Sequence, residues 1–444
     1  MGEAVTQTSY ETKPAPGPQG EKRTNARYGI LALISVATAL NYLDRSLLSV
    51  AAPFMQADLG IDAVMMGIVF SAFSWTYAFA QVPGGIFLDR FGTRVTYMCS
   101  VSIWSIFTAL QGAAHNLVTL LVYRLGLGVA EAPCFPANSR ILVTWFPQNE
   151  RARANSVYSV GMYFGIAFLS PLLFYIVSAF GWRYLFYIFG GLGLLFAVVW
   201  WWLYREPEDS PKANAAELEY IRAGGGEAAP DKNAVFLWSE VFWLLKQRQV
   251  FGATIGQFAT NATLVFFLTW FPTYLATERG MEWLKVGFYA VVPFIAASIG
   301  VLIGGQISDY MVRKSGSLTF GRKFPIVFGL LLSSTIISAA FLESDALVIT
   351  VLSIAFFGQG MSNLGWTLIS EVAPVRLVGL TGGVFNFGTN LAGILTPIVI
   401  GVIVAATGSF FGALAFIGVT AFIGAASYVF LVGEVVRIPD PQLS

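Results

Sequence analysis

Gly84-Gly85-Ile86-Phe87-Leu88-Asp89-Arg90-Phe91-Gly92-Thr93-Arg94 closes one long apolar stretch. Gly304-Gly305-Gln306-Ile307-Ser308-Asp309-Tyr310, followed by Arg313 and Lys314, closes another. Each passage follows the second apolar run of its half of the chain. Such recurrence marks an internal repeat. The paired glycines let neighbouring helices approach closely. The aspartate can cap a helix N-terminus or pair with an arginine. The chain therefore reads as two similar helical bundles, an architecture of membrane transporters.

The composition around these passages identifies the solvent. Of 444 residues, 56% are hydrophobic and 11% are charged, whereas soluble domains carry roughly 25% charged residues. Apolar runs repeatedly reach about 20 residues, the length a helix needs to cross a bilayer. Twelve spans are expected: Tyr28–Gln56, Asp62–Leu88, Val95–Ala114, Leu117–Trp145, Ala154–Phe180, Trp182–Tyr204, Val250–Ala276, Leu284–Ser308, Phe324–Leu342, Ala346–Ser370, Leu377–Ala406 and Phe410–Val432. The fold class is thus an all-α integral membrane protein of twelve transmembrane helices in two six-helix bundles. The bundles cover residues 28–204 and 250–433.

Polar segments complete the organisation. Residues 1–27, with Pro14, Pro16 and Pro18, read as a disordered tail. No cleavable signal peptide is visible, since the first apolar run starts near Tyr28 and is too long. Residues 205–249 form a linker with Pro207, Pro211, Pro230 and Gly224–Gly226, in which Ala215–Arg222 is expected as a short surface helix. Residues 434–444 form a second tail. Lys22, Arg23, Arg27, Arg90, Arg94, Arg151, Arg153, Arg313, Lys314, Arg322, Lys323 and Arg376 fall on one set of loops and the N-terminal tail. The other loops hold few cations: Arg183, Arg279 and Lys285. The positive-inside bias then places both termini and the linker in the cytoplasm.

Several classes fall away. The net charge of +1 comes with no basic face for nucleic acid. Cys99, Cys134 and His115 make neither a disulfide framework nor a zinc site. A membrane-embedded enzyme would need a nucleophile and base or metal ligands within the spans, and none is visible. No cofactor or metal is expected.

Charges inside the spans carry the functional reading. One charged side chain at mid-bilayer costs roughly 2.5–3.5 kcal/mol on insertion scales and marks a functional position by default. Asp44 and Arg45 interrupt the first span; Arg124 and Glu131 lie on the fourth. Adjacent helical residues point about 100° apart, so Asp44 and Arg45 need different partners. Arg124 and Glu131 stand about two turns apart on nearly one face. They pair directly only if both side chains reach along the axis; otherwise each finds a partner on another helix. A buried arginine suits a substrate carboxylate, which a guanidinium grips with two parallel hydrogen bonds. Burial disfavours a charged carboxylate and a nearby arginine favours it, a balance that sets where protons bind and leave. The alternative for these residues is a structural ion pair. Glu371, near the end of the tenth span, reads as such an interfacial group. Tyr42, Tyr77, Gln81, Tyr163, Gln257, Asn261, Trp366, Asn386 and Asn390 are further polar candidates for a cavity, and Asn386 and Asn390 share a helix face.

The segment Gly85-x-x-x-Asp89-Arg90-x-Gly92-x-Arg94 resembles the loop signature of the major facilitator superfamily. Asn41-Tyr42-x-Asp44-Arg45, Phe70-Ser71-Ala72-Phe73, Gln81-x-Pro83-Gly84-Gly85, Arg124-x6-Glu131-Ala132-Pro133 and Gly382-Gly383-Val384-Phe385-Asn386 together resemble the anion:cation symporter family, and within it the bacterial sugar-acid transporters for galactonate and for glucarate or galactarate. The likeness spans both halves of the membrane region. It implies the major facilitator fold and proton-coupled uptake of a polyhydroxylated carboxylate across the inner (plasma) membrane by alternating access. It implies that Arg45 binds the carboxylate, that Asp44 and Glu131 take protons, and that Arg124 tunes Glu131. Tyr42, Tyr77, Gln257, Trp366 and Asn386 would shape the sugar-acid site. Gly85, Asp89, Arg90, Arg94 and Asp309 would form the gating motif, latching the bundles on the cytoplasmic side in one state. One position departs from the family: Met162 stands on the fifth span where galactonate transporters carry a glutamine, and Asn390 is the candidate replacement. The expected partners are a small anionic substrate, protons and membrane lipid, with the chain as a monomer. The rival readings are uptake of another anion, such as an aromatic acid or phosphate, and a drug exporter of the same fold.

Overall fold

A computed structural model describes residues 22–225, 238–374 and 377–440. Residues 1–21 of the expected tail, residues 226–237 of the expected linker, Arg376 and residues 441–444 lie outside the described residues. No strand occurs among the described residues.

The helices follow the apolar runs. The first half holds α1 (Ala26–Leu59), α2 (Ala63–Gly112), α3 (Leu117–Glu131), α4 (Cys134–Trp145), α5 (Gln148–Phe180) and α6 (Trp182–Leu203). Then come α7 (Ala215–Ala223) and α8 (Trp238–Lys246). The second half holds α9 (Arg248–Thr269), which continues through α10 (Phe271–Thr273) into a π-helical turn, Tyr274–Glu278. It is followed by α11 (Trp283–Ser315), α12 (Leu318–Ser334), α13 (Asp345–Ser362), α14 (Gly365–Val372), α15 (Val378–Thr407) and α16 (Phe411–Phe430).

Among the described residues, eleven helices are long and apolar enough to cross a membrane. The expected span Val95–Ala114 is helical through Gly112 but is not one of the eleven. Its boundary with the preceding span is sharp. Gly92 breaks the run Ala63–Gly112 with φ 75 and ψ 169, a conformation open to glycine and strained for other residues. The last glycine of the quoted motif is therefore the point where one helix turns into the next. Large side chains such as Trp202, Phe422 and Phe430 stand exposed, as a lipid solvent permits.

Packing between the halves sets the shape of the site. α5 lies along α11, and α2 lies along α15. At the end away from the basic loops the halves touch backbone to backbone. A Cβ on Gly67 would sit 2.5 Å from the Pro397 carbonyl, and one on Gly401 would sit 2.5 Å from the Ala63 carbonyl. The Phe54 and Trp283 rings meet there at 4.7 Å. From this end the α2–α15 seam continues through Phe79 and Phe387 to Gln81 and Asn386. Beyond, towards the basic end, a Cβ on Gly85, Gly382 or Gly383 would meet nothing within 4 Å. The seam is closed at one end and open at the other.

The expected surface helix of the linker is present as α7, and it is tied to the first half. Glu217, fully buried, accepts from the backbone N–H of Ala26 (3.0 Å) and Arg27 (3.3 Å), from Thr24 Oγ1 (2.6 Å) and from Arg27 Nη1 (2.8 Å). Asn25, at the start of α1, makes no side-chain cap, so the Glu217 carboxylate satisfies that end from a distant part of the chain. Arg27 also pairs with Glu150 at 3.0 Å, and Tyr220 donates to Glu150 at 2.8 Å. Burial pushes the Glu150 carboxyl up, but these two hydrogen bonds outweigh it and leave the group below its usual range. Its contribution to stability is therefore present at neutral pH and lost as pH falls through that lowered value. Removing one partner of a buried pair leaves a desolvated charge, which costs about 3–5 kcal/mol. Glu217→Ala is expected to lower the melting temperature clearly in a thermal-unfolding assay, and an unchanged melt would show that the docking of α7 onto α1 adds no stability.

Candidate functional site

The intramembrane charges converge from two helices. α1 supplies Asp44 and Arg45, and α3 supplies Arg124 and Glu131. Arg45 Nε donates to Glu131 Oε2 at 3.1 Å, and Nη2 lies 3.0 Å from the same oxygen in an ion pair. The Glu131 side chain is fully buried, and that of Arg45 is partly buried. Three rings enclose the guanidinium: Tyr42 at 4.7 Å, Phe73 at 4.5 Å and Tyr77 at 4.9 Å from Cζ. A guanidinium over an aromatic face is attracted by the ring quadrupole, more strongly when desolvated. The rings therefore hold the cation where lipid or bulk water would not.

Asp44 points elsewhere, as its adjacency to Arg45 requires. It is buried and accepts from Thr108 Oγ1 at 3.3 Å. Among the described residues it makes no salt bridge. The two-turn spacing of Arg124 and Glu131 does not yield a pair: Arg45 takes Glu131 Oε2, and Glu131 Oε1 has no hydrogen-bond partner. Arg124 is buried beside the Phe73 ring, at 5.5 Å, and its Nε and Nη1 have no hydrogen-bond partner.

The amide-bearing candidates gather in the second half. Asn386 donates to Gln81 Oε1 at 2.7 Å across the seam, and Asn390 donates to Asn386 Oδ1 at 2.8 Å. Gln81 stands one turn beyond Tyr77, the ring beside Arg45, on nearly the same face of α2. Gln257 donates to Asn363 at 3.2 Å, and Asn261 donates to the Thr389 carbonyl at 3.2 Å. Trp366, on the exposed side of α14, packs edge-on against Phe385, the neighbour of Asn386. Met162 is buried in the apolar core. Both Asn390 amide bonds run back to Asn386, one turn earlier.

The gating-motif residues lie at the basic end. Asp89 pairs with Arg140 of α4, in its own half, at 3.4 Å. Arg94 donates to the Trp201 carbonyl and covers its ring at 3.9 Å, and Arg90 lies by Phe91. Asp309 and Glu371 share Arg322, at 2.8 and 2.9 Å. The interfacial reading of Glu371 agrees with that shared ion pair. Gly85 faces open space.

Sequence reasoning did not single out Phe73, Thr108, Arg140, Asn363 or Gln359. Phe73 lay inside a quoted motif, and Asn363 and Gln359 were legible as polar interruptions of the tenth apolar run. Thr108 and Arg140 carry no signal beyond their residue type.

The Major Facilitator Superfamily model matches residues 34–397. The chain belongs to that superfamily. It is 44% identical over 431 residues to a probable galactarate/D-glucarate transporter of Escherichia coli (strain K12), covering 94% of this chain and 96% of the relative. It is also 44% identical over 417 residues to a D-galactonate transporter of Escherichia coli O6:H1, covering 93% and 97%. A hexuronate transporter of Bacillus subtilis is 34% identical, covering 86% and 89%. Among solved structures, a bacterial homolog of the human lysosomal transporter Spinster superimposes with a TM-score of 0.68 at 21% identity, covering 93% of this chain and 96% of that one. The chain is a multi-pass membrane transporter of the bacterial inner membrane, of sugar-acid transporter kinship, and not an enzyme.

Proposed function

We propose that this member of the superfamily imports a sugar acid together with protons. The single observation that carries the reading is the buried Arg45–Glu131 pair inside its aromatic enclosure. One cation is shared between a titratable carboxylate and the place where an anionic substrate would bind. While Glu131 is charged, the Nε–Nη2 edge of Arg45 is occupied. A proton on Glu131 cancels that attraction and frees the edge to grip a substrate carboxylate with two parallel hydrogen bonds. Proton binding and substrate binding then favour each other, the reciprocal coupling that symport needs. Asp44, buried away from any salt bridge among the described residues, serves as a second proton site, and Arg124 biases Glu131 through space. The relatives' named substrates, galactarate, D-glucarate and D-galactonate, support a polyhydroxylated acid as the cargo.

Twelve crossings, in bundles 28–204 and 250–433 joined by a linker at 205–249, place both termini in the cytoplasm if the basic end faces inward. The seam closed near Gly67 and Gly401 and open near Gly85 and Gly382 then describes the inward-open state. In it, Asp89 rests on Arg140. Rocking the bundles to the outward-open state brings the basic ends together, where Gly85, Asp89, Arg90, Arg94 and Asp309 latch them. Met162 and Asn390 mark where the choice of sugar acid is set, and the transporter works as a monomer.

A thermal-shift screen of the purified protein tests the cargo. D-galactonate or galactarate is expected to raise the melting temperature, with benzoate, phosphate and nitrate inert. Stabilisation by benzoate or phosphate alone would assign a different anion.

A further inference from the structure

The duplication places a second residue where Glu131 stands. Glu131 and Gln359 lie the same number of residues past the first residue of their helices, Leu117 of α3 and Asp345 of α13. Packing agrees with that register. A Cβ on Gly128 would meet the Phe73 carbonyl and Tyr77 N–H of α2, and one on Gly360 would meet the Ala297 carbonyl and Val301 N–H of α11. In the repeat that aligns Asp89 with Asp309, Ala297 corresponds to Tyr77 and Val301 to Gln81. Gly360 thus packs one turn further along its neighbour than Gly128. The residue one turn beyond Gly128 is Ala132, which makes Glu131 the counterpart of Gln359.

The two counterparts differ in what they meet. Glu131 is bound to Arg45 within its own half. Gln359 is 1% exposed and accepts from Tyr163 Oη, across the seam on α5, at 3.3 Å. Its Nε2 has no partner. A buried donor left unpaired is costly, so such a group points to an acceptor that arrives with a ligand. Among the described residues, every fully buried polar side chain from Gln257 onward is uncharged, and Arg279 and Arg322, partly buried as Arg45 is, are held by Asp345 and by Asp309 and Glu371. The second half therefore offers amides and hydroxyls to whatever crosses from Arg45, and its partly buried cations are already paired. A desolvated second carboxylate there would lack a counter-charge, whereas a hydroxyl would find donors and acceptors.

We infer that Gln359 is a specificity-determining residue that donates its free amide N–H to a hydroxyl at the end of the substrate remote from the carboxylate, so the transporter prefers acids with one carboxylate and a neutral polyol end over diacids of the same chain length. This rests on the sugar-acid reading above. Gln359 carries no proton and takes no part in coupling. Tyr163, by holding Oε1, orients the amide so that Nε2 faces the substrate.

The test is uptake by the full chain in proteoliposomes, with D-galactonate, its 6-deoxy analogue and galactarate as the probes. Wild type is expected to take up D-galactonate at lower KM than galactarate. Both the 6-deoxy analogue on wild type and D-galactonate on Gln359→Leu should show KM raised roughly tenfold, the scale of one hydrogen bond. The analogue should lose nothing further on Gln359→Leu, and the pH profile of uptake should not move. Tyr163→Phe should give a smaller rise in KM with the same pH profile. The wild-type comparison of parent and deoxy acid stands even if a variant fails to fold. Equal KM for D-galactonate and galactarate, or no effect of deleting the hydroxyl, would overturn the inference while leaving sugar-acid transport intact. Failure of wild type to carry any sugar acid would instead sink the parent reading.

Discussion

Arg45→Lys is expected to weaken sugar-acid binding roughly 100-fold, or about 3 kcal/mol, the scale of losing charge-assisted hydrogen bonds made by a planar fork. The charge is kept, so a simple Coulomb attraction would survive the change. What is lost is shape. Arg45 presents Nε and Nη2 together in one direction while Tyr42, Phe73 and Tyr77 pack its faces. A lysine ammonium has no plane for three rings to enclose and no second donor parallel to the first. Titration of D-galactonate into the purified variant, by heat or by melting temperature, measures the loss. Wild-type affinity in Arg45→Lys would place the carboxylate elsewhere, and Arg124, with two unpartnered N–H groups, would become the candidate.

Glu131→Gln should separate transport from its energy source. The amide still offers an oxygen to Arg45, so the local geometry persists, but the group no longer exchanges a proton. Uptake driven by an imposed inward proton gradient is expected to fall to the level of empty liposomes. Counterflow of D-galactonate, which needs only substrate on both sides, should persist within about tenfold, since the coupling free energy between sites is typically ~1–3 kcal/mol. Asp44→Asn is expected to do the same through the site beside Thr108. If both variants keep full gradient-driven accumulation, neither carboxylate carries the coupled proton.

The fold was legible because a bilayer imposes a simple rule on sequence. Uncharged runs of about 20 residues become helices, and their ends fall where charges or glycines begin. Gly92, noticed as part of a motif, turned out to mark the turn between two helices. The site was legible one residue at a time. Asp44, Arg45, Arg124 and Glu131 stand out because charge in an apolar run is costly, but partnership is a tertiary fact. Helical spacing pointed from Arg124 to Glu131, whereas the contact runs from Arg45, on another helix. The docking of Glu217 onto the start of α1 likewise joins residues far apart in sequence, with no local pattern to announce it. Neutral polar residues were hardest. Gln359 and Gln257 look alike in the sequence and are both buried, and only an unpaired N–H and the place that matches Glu131 in the repeat distinguish the first.

The central claim is that proton and sugar acid share Arg45 through Glu131. Purified protein in proteoliposomes, given D-galactonate at equal concentration on both sides and a pulse of acid outside, tests it most directly. The account predicts net inward accumulation that collapses when a protonophore is added and is absent in Glu131→Gln. Accumulation that is unchanged by the proton gradient, with wild-type exchange still present, would contradict it.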